Sequence, residues 1–201
     1  MSQTVEFFYG AGSRYSYLAS TRIAALEAET GCTVVWRPIL SSDLIIANGK
    51  DPFDGGEVSG QYGWPYRRHD AENWAEFYGV PYLEPDFDDY DPRELARACG
   101  AADRLGAVAS FSRGLFAAVF ADGGKIHGAR LVAIAEAAGL DSGAFSRALA
   151  DPTIDEEMAA TVAEAHQRGA FGVPTFFVGE HMFWGNDRMV LLRHFLLKDS
   201  A

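Results

Sequence analysis

Three short stretches of the chain carry residue types that can do chemistry. They are Ser13-Arg14-Tyr15-Ser16, Val173-Pro174-Thr175 and Gly185-Asn186-Asp187-Arg188. Pro174 interrupts an apolar, β-prone run, where it costs a ladder hydrogen bond. It can be an edge-strand proline with no ligand. It can equally sit in a sharp turn, often as a cis peptide, that turns the Val173 backbone N–H and C=O away from the sheet. An extended peptide could then pair with that backbone as an added strand. Ser13 stands where a helix begins. It is either an ordinary N-cap or a hydroxyl facing a bound thiolate at a helix end that favours anions. Asn186 and Asp187 open the last helix. They either cap it, or hold a head group by its carboxylate, on free N–H groups, and by its ammonium, on Asp187.

These stretches lie far apart in sequence, so the elements around them decide whether they meet. Val5-Glu6-Phe7-Phe8-Tyr9 reads as a buried strand closed by Gly10-Ala11-Gly12. From Ser13 onward, Tyr15, Leu18, Ala19, Ile23 and Leu26 recur at helical spacing up to Gly31, and 33–36 is a second strand closed by Pro38. A strand–helix–strand unit favours parallel strands. From Ser41 to Arg168 no strand is expected. Residues 48–65 read as a long loop. Helices are expected over 66–78, from Asp91-Pro92, through Val108 to Phe120, over 127–138 and 142–150, and from Asp151-Pro152. In the second of these, Glu94 takes the capping-box position, and Leu95, Cys99, Ala102 and Leu105 form the core stripe. The chain ends with strands at 171–178 and 181–184 joined at Gly179-Glu180, then a helix bearing Met189, Leu192, Phe195 and Leu196.

This order predicts an α/β, thioredoxin-like fold with a large all-helical insertion. Residues 1–40 and 165–201 form the thioredoxin-like domain and 41–164 the insertion. With 48% apolar and 22% charged residues, the chain has the composition of a folded globular protein. Its net charge of −11 speaks against nucleic acid or an anionic membrane as partner. No apolar run approaches a membrane span, and the first residues lack a signal peptide, so a cytoplasmic location is expected. Cys32 and Cys99 form no paired motif, and His69, His127 and His166 stand at no metal spacing; neither a disulfide framework nor a zinc site is expected. Among Tyr62, Trp64, Tyr66, Trp74, Phe77 and Tyr78, most read as core or interface, with one or two lining an aromatic pocket. A homodimer is compatible with that aromatic surplus.

In a thioredoxin-like order the three stretches come to one edge. Redox enzymes of this fold carry C-x-x-C where this chain has Ser13 and Ser16, so thiol–disulfide exchange by its own side chains there is excluded. What remains is an anion site, an extended-backbone site and an amino-acid site in a row. Glutathione presents a thiol, a peptide backbone and a γ-glutamyl head group in that order.

Phe7-Phe8-Tyr9 through Ser13-Arg14-Tyr15-Ser16-Tyr17-Leu18-Ala19 resembles the opening motif of the 2-hydroxychromene-2-carboxylate isomerases. Phe171-Gly172-Val173-Pro174-Thr175-Phe176 and Met182-Phe183-Trp184-Gly185-Asn186-Asp187-Arg188 resemble their closing motif. That family is similar to kappa-class glutathione transferases and belongs to the DsbA-like thioredoxin superfamily. The resemblance implies glutathione as cofactor and a small aromatic acid as substrate. It implies that Ser13 faces the sulfur, that Val173 pairs with the cysteinyl backbone beside cis-Pro174, and that Asn186 and Asp187 take the γ-glutamyl group. The thiolate would add transiently to a conjugated carbon and leave again after a bond has rotated. A kappa-like transferase and a non-catalytic thioredoxin-fold binding protein are the alternatives. The chain departs from the family in carrying Arg14 where proline usually follows the serine. Arg14 could clamp a substrate carboxylate, sit beside the thiolate or point into solvent. Asn48 and Lys50 are the candidates for the family's asparagine and lysine, and no lysine stands near 60–63 for its second basic position.

Overall fold

The computed structural model describes residues 3–51 and 63–198. Its frame is a four-stranded sheet in the order β2-β1-β3-β4, with β1 at Thr4–Tyr9, β2 at Thr33–Pro38, β3 at Thr175–Val178 and β4 at His181–Trp184. β1 pairs in parallel with β2 and antiparallel with β3, with Phe7 opposite Phe176. Being central and covered on both faces, β1 needs apolar residues on each. Val5, Phe7 and Tyr9 join Trp36 and Phe176 on one side, with Phe7 stacked on Phe176 at 4.8 Å; Phe8 joins Phe177 on the other.

The helix expected after Ser13 is two helices, α1 (Arg14–Ser20) and α2 (Ile23–Thr30). Ser20 and Thr21 turn their hydroxyls back onto the carbonyls of Tyr17 and Leu18, and the Arg22 N–H bonds Ala19 rather than Leu18. Such back-bonding competes with the helical ladder and breaks it there. α2 ends where expected, on Gly31 at φ +69°. A helix the periodicity did not reveal, α3 (Ser41–Ala47), follows β2 and precedes the loop.

The helical block comprises α4 (Trp64–Tyr78), α5 (Pro92–Arg104), α6 (Val108–Ala117) with a π-helical turn over Ala118–Asp122, α7 (Ala129–Ala137), α8 (Ser142–Ala150) and α9 (Thr153–Gln167). Both Asp-Pro pairs open helices: Asp91 is the N-cap of α5 and accepts from the Arg93 N–H at 2.8 Å, whereas Pro152 is the N-cap of α9 and Asp151, one residue earlier, accepts from the Thr153 N–H at 2.9 Å. Glu94 does not close a capping box. Its carboxylate accepts instead from His127 Nδ1 at 2.8 Å and the Gly128 N–H at 3.2 Å, tying the start of α5 to that of α7. Leu105, expected in the core stripe, lies past the end of α5 and is exposed. One core joins the sheet to the block, running from Val5 and Phe7 to Leu95, Phe111, Phe145 and Leu192. The chain closes with a 3₁₀ turn over Asn186–Arg188 and α10 (Met189–Lys198). Among the described residues no helix is long and apolar enough to cross a membrane.

Candidate active site

A cavity of about 860 Å³ lies where the β1–α1 turn, α3, the start of α4, the segment 84–93 and the Gly172-Val173 turn converge. Close backbone packing shapes it. A Cβ on Gly12 would stand 2.8 Å from the Tyr90 ring, and one on Gly172 would stand 2.8 Å from Trp184 Nε1. Glycine at these two places lets aromatic side chains form the wall directly against the turns.

Ser13, Arg14 and Val173 all line this cavity. Ser13 is the N-cap of α1, and its Oγ accepts from the Ser16 N–H at 3.3 Å. A serine hydroxyl both donates and accepts, so capping leaves its proton uncommitted among the described residues. Ser16 is fully buried and accepts from the Gly10 N–H at 3.4 Å, which makes it a brace for the turn. The Val173-Pro174 bond is cis. Pro174 C=O accepts from the Gly185 N–H at 2.9 Å, and Gly172 C=O from the Thr175 hydroxyl at 2.7 Å. Between them, the Val173 N–H and C=O have no partner among the described residues.

Arg14 does not point into solvent. It is 8% exposed, bonds Glu84 at 2.6 Å and lies over the Trp64 ring at 5.1 Å. Its second amino nitrogen is buried without a hydrogen-bond partner. Arg67 approaches the same indole at 4.9 Å and has a buried, unpartnered Nε. Burial, followed by the charge of Arg14, lowers the Arg67 pKa below the usual guanidinium value. Trp184 Nε1 is a third buried donor without a partner on this wall. Burial pushes the Tyr90 phenol up, keeping it a neutral donor to Gly12 C=O at 3.3 Å.

Other expected residues lie elsewhere. Asn48 is committed to the fold, donating to the carbonyls of Leu44 at 2.9 Å and Ala170 at 3.1 Å. It caps α3 and clips it to the chain after α9, and it is not part of the cavity lining. Lys50 is exposed and is not part of the cavity lining. The stretch near 60–63 falls outside the described residues but for Gly63, as does Tyr62. Asn186 and Asp187 follow Trp184, beyond the lining itself. Asn186 is 4% exposed with an unpartnered Nδ2, and its C=O accepts from Tyr78 at 3.1 Å. Asp187 pairs with Arg188. Of the aromatic stretch, Trp64 lines the cavity, while Trp74, Phe77 and Tyr78 pack on one another. Sequence reading missed Arg67, Glu84 and Trp184 as cavity residues. The one available signal was the basic pair Arg67-Arg68 directly after the aromatic residues.

The chain matches the model of the DSBA-like thioredoxin domain over residues 4–197. It is 31% identical to the 2-hydroxychromene-2-carboxylate isomerase of Sphingobium xenophagum, an alignment spanning 98% of this chain and 100% of that one. It is 29% identical to the enzyme of the same name from Pseudomonas putida, over 94% of this chain and 91% of that one. A solved 2-hydroxychromene-2-carboxylate isomerase superposes with a TM-score of 0.80 at 28% identity, covering 96% of this chain and 94% of the other. The chain therefore belongs to the DSBA-like thioredoxin domain family and, within it, to the family of the 2-hydroxychromene-2-carboxylate isomerases.

Proposed function

We propose that this isomerase uses glutathione to interconvert the isomers of a conjugated aromatic acid such as 2-hydroxychromene-2-carboxylate. One observation carries the proposal. On a single cavity wall, among the described residues, the Ser13 hydroxyl keeps its proton uncommitted, and the Val173 backbone keeps both its N–H and its C=O open. Val173 is half-buried on the cavity wall, and its open N–H and C=O suit pairing with an extended peptide that is not part of this chain. The unpartnered Nδ2 of buried Asn186 extends the same fit toward a head group.

Glutathione, held by Val173, Ser13 and Asn186, would supply a thiolate nucleophile for reversible covalent catalysis of the isomerisation. The chain's own residues prepare that chemistry. Val173 takes the cofactor's peptide as an added strand on both backbone atoms. Ser13 donates its hydroxyl hydrogen toward the sulfur and favours the thiolate over the thiol, as a hydrogen bond to the charged form does. Asn186 donates to the head group and Asp187 accepts from its ammonium. Leu40, Ile45, Ile46 and Phe120 give the cavity an apolar wall for a conjugated ring. A cytosolic setting, where glutathione keeps thiols reduced, supplies the cofactor.

The test is spectrophotometric. Purified protein is mixed with 2-hydroxychromene-2-carboxylate, and isomerisation is followed with no thiol, with glutathione and with S-methylglutathione. Turnover that requires glutathione and is not restored by the methylated form is expected. Equal rates under all three conditions overturn the proposal.

A further inference from the structure

Among the described residues, five buried side-chain nitrogen or oxygen atoms lack a hydrogen-bond partner, and four of them are N–H donors. Three of those four belong to Arg14, Arg67 and Trp184, residues of the cavity wall or its lining. Orphaned buried donors are costly. A set of them on one cavity is complementary to an acceptor-rich, anionic group. The two arginines are the stronger part of the set. Both guanidiniums lie within 5.1 Å of the centre of one indole, Trp64, so two like charges are held side by side. Glu84 answers Arg14 at 2.6 Å, whereas no carboxylate lies within 4.0 Å of Arg67 among the described residues. The acidic groups across the cavity are already engaged: Asp43 pairs with Arg93 at 3.5 Å, and Asp91 caps α5. Among the described residues, Glu84 answers Arg14, Asp70 is engaged by the Tyr15 hydroxyl at 2.8 Å, and the Arg67 guanidinium has no carboxylate in direct contact.

We infer that Arg14 and Arg67 form the seat for the carboxylate of the aromatic acid substrate, with the partly exposed Trp64 indole lying beside its ring. This deepens the function proposed above and rests on it. Two features favour the substrate's carboxylate over one belonging to glutathione. Arg14 directly follows Ser13, so an acid anchored there presents its conjugated carbon next to the hydroxyl that faces the sulfur. Trp64 adds an aromatic surface that a glycyl terminus does not need and a conjugated ring does. Charge-assisted bonds of this kind are worth about 10–100-fold in affinity.

The probes are cinnamate, an unreactive aromatic monocarboxylate, and its neutral amide, titrated by tryptophan fluorescence into protein saturated with glutathione. Wild-type protein is expected to bind cinnamate at least about 10-fold more tightly than cinnamamide. Arg67→Met, at a half-buried site, removes the unanswered charge. Arg14→Met combined with Glu84→Gln removes the ion pair as a unit, leaving no carboxylate unpaired. Each should abolish the preference and raise KM for the acid substrate, with glutathione affinity by calorimetry unchanged. Equal binding of acid and amide to the wild type overturns the inference, as does a preference that survives both variants. A preference present in free protein but lost on saturation with glutathione also overturns it, because the cofactor's own carboxylate then holds the arginines. If cinnamate is preferred but glutathione never binds, the carboxylate seat stands and the glutathione reading falls.

Discussion

Two groups of arginines in this molecule make opposite use of the same side chain. Between α5 and α9, Arg97 bonds Asp155 and donates to the carbonyls of Leu149 at 2.7 Å and Asp151 at 3.2 Å. Arg104 spends all three of its nitrogens, on Glu157, Asp151 and Thr153, at 2.6–3.0 Å. The remaining gap is Asp155 Oδ1, which has only the Arg93 guanidinium at 3.7 Å. At the cavity, Arg14 and Arg67 instead keep buried N–H groups open. A guanidinium has five donors in a fixed fork. Where the fold supplies the acceptors, the arginine is mortar; where it withholds them, the open donors are what the proposed carboxylate seat rests on. Satisfaction, rather than charge, separates the structural cluster from the site.

The sharpest way to break that distinction is Arg97→Ala. It strands Asp155 and two carbonyls in a partly buried position, which should cost about 3 kcal/mol and lower the melting temperature by about 10 °C. Affinity for glutathione and for cinnamate should stay at the wild-type value. Arg67→Met should do the reverse, leaving the melting curve in place and removing the acid's advantage. If Arg97→Ala were to weaken ligand binding without moving the melt, the two clusters would not be distinct in function.

The same logic explains which parts were legible in the sequence. Strands β1, β2 and β4, the Asp-Pro helix starts and the Gly31 stop depend on neighbours a few residues away, and local pattern reports such neighbours. Ser13 and Val173 were legible because a cap position and an out-of-place proline leave a local mark. Arg67 left almost none. What makes it a site residue is the absence of an acceptor, and that depends on Glu84 and Asp70 being committed elsewhere, to Arg14 and Tyr15. Asn48 stands off the cavity lining for the complementary reason. Its amide is consumed by Leu44, four residues back, and by Ala170, on a segment that only the folded chain brings near. Glu94 was drawn from its capping box in the same way, by His127 and Gly128.

A second hydrogen-bonded group, entirely inside the core, sharpens the comparison. Tyr9 and Ser112 share a hydrogen bond of 2.5 Å, and Ser112 donates to Cys99 Sγ at 3.5 Å. Burial pushes the Cys99 thiol up to about 11 from an ordinary value near 9.0. Between those two values the native chain holds a proton that the unfolded chain has released, so stability falls as pH rises through that window. Wild-type protein should lose about 2 kcal/mol more than Cys99→Ala on going from pH 9 to 11, by urea unfolding at each pH. Parallel pH profiles for the two proteins would contradict the assignment. Below pH 9 neither Cys99 nor the buried Cys32 should react with a thiol reagent until the chain unfolds.

Ser13 stands between the two kinds of site, because one side of its hydroxyl is satisfied by the fold and the other is not. Its oxygen accepts from the Ser16 N–H, a cap worth about 1 kcal/mol. Its hydrogen is the part reserved for the ligand. Ser13→Ala removes both, and the two losses are read by different instruments. The cap loss appears as a small drop in melting temperature, on the order of 2–4 °C. The ligand loss appears in the thiolate absorbance of bound glutathione as pH is raised. A charge-assisted hydrogen bond worth roughly 1.5–3 kcal/mol, at about 1.4 kcal/mol per pKa unit, should move that titration upward by about one to two units. At low pH, where the thiol is protonated, glutathione should bind the variant nearly as well, because the Val173 backbone contacts do not depend on Ser13. A lowered melt with an unmoved thiol titration would leave Ser13 a cap and nothing more, and the open hydrogen on the cavity wall would then need another acceptor.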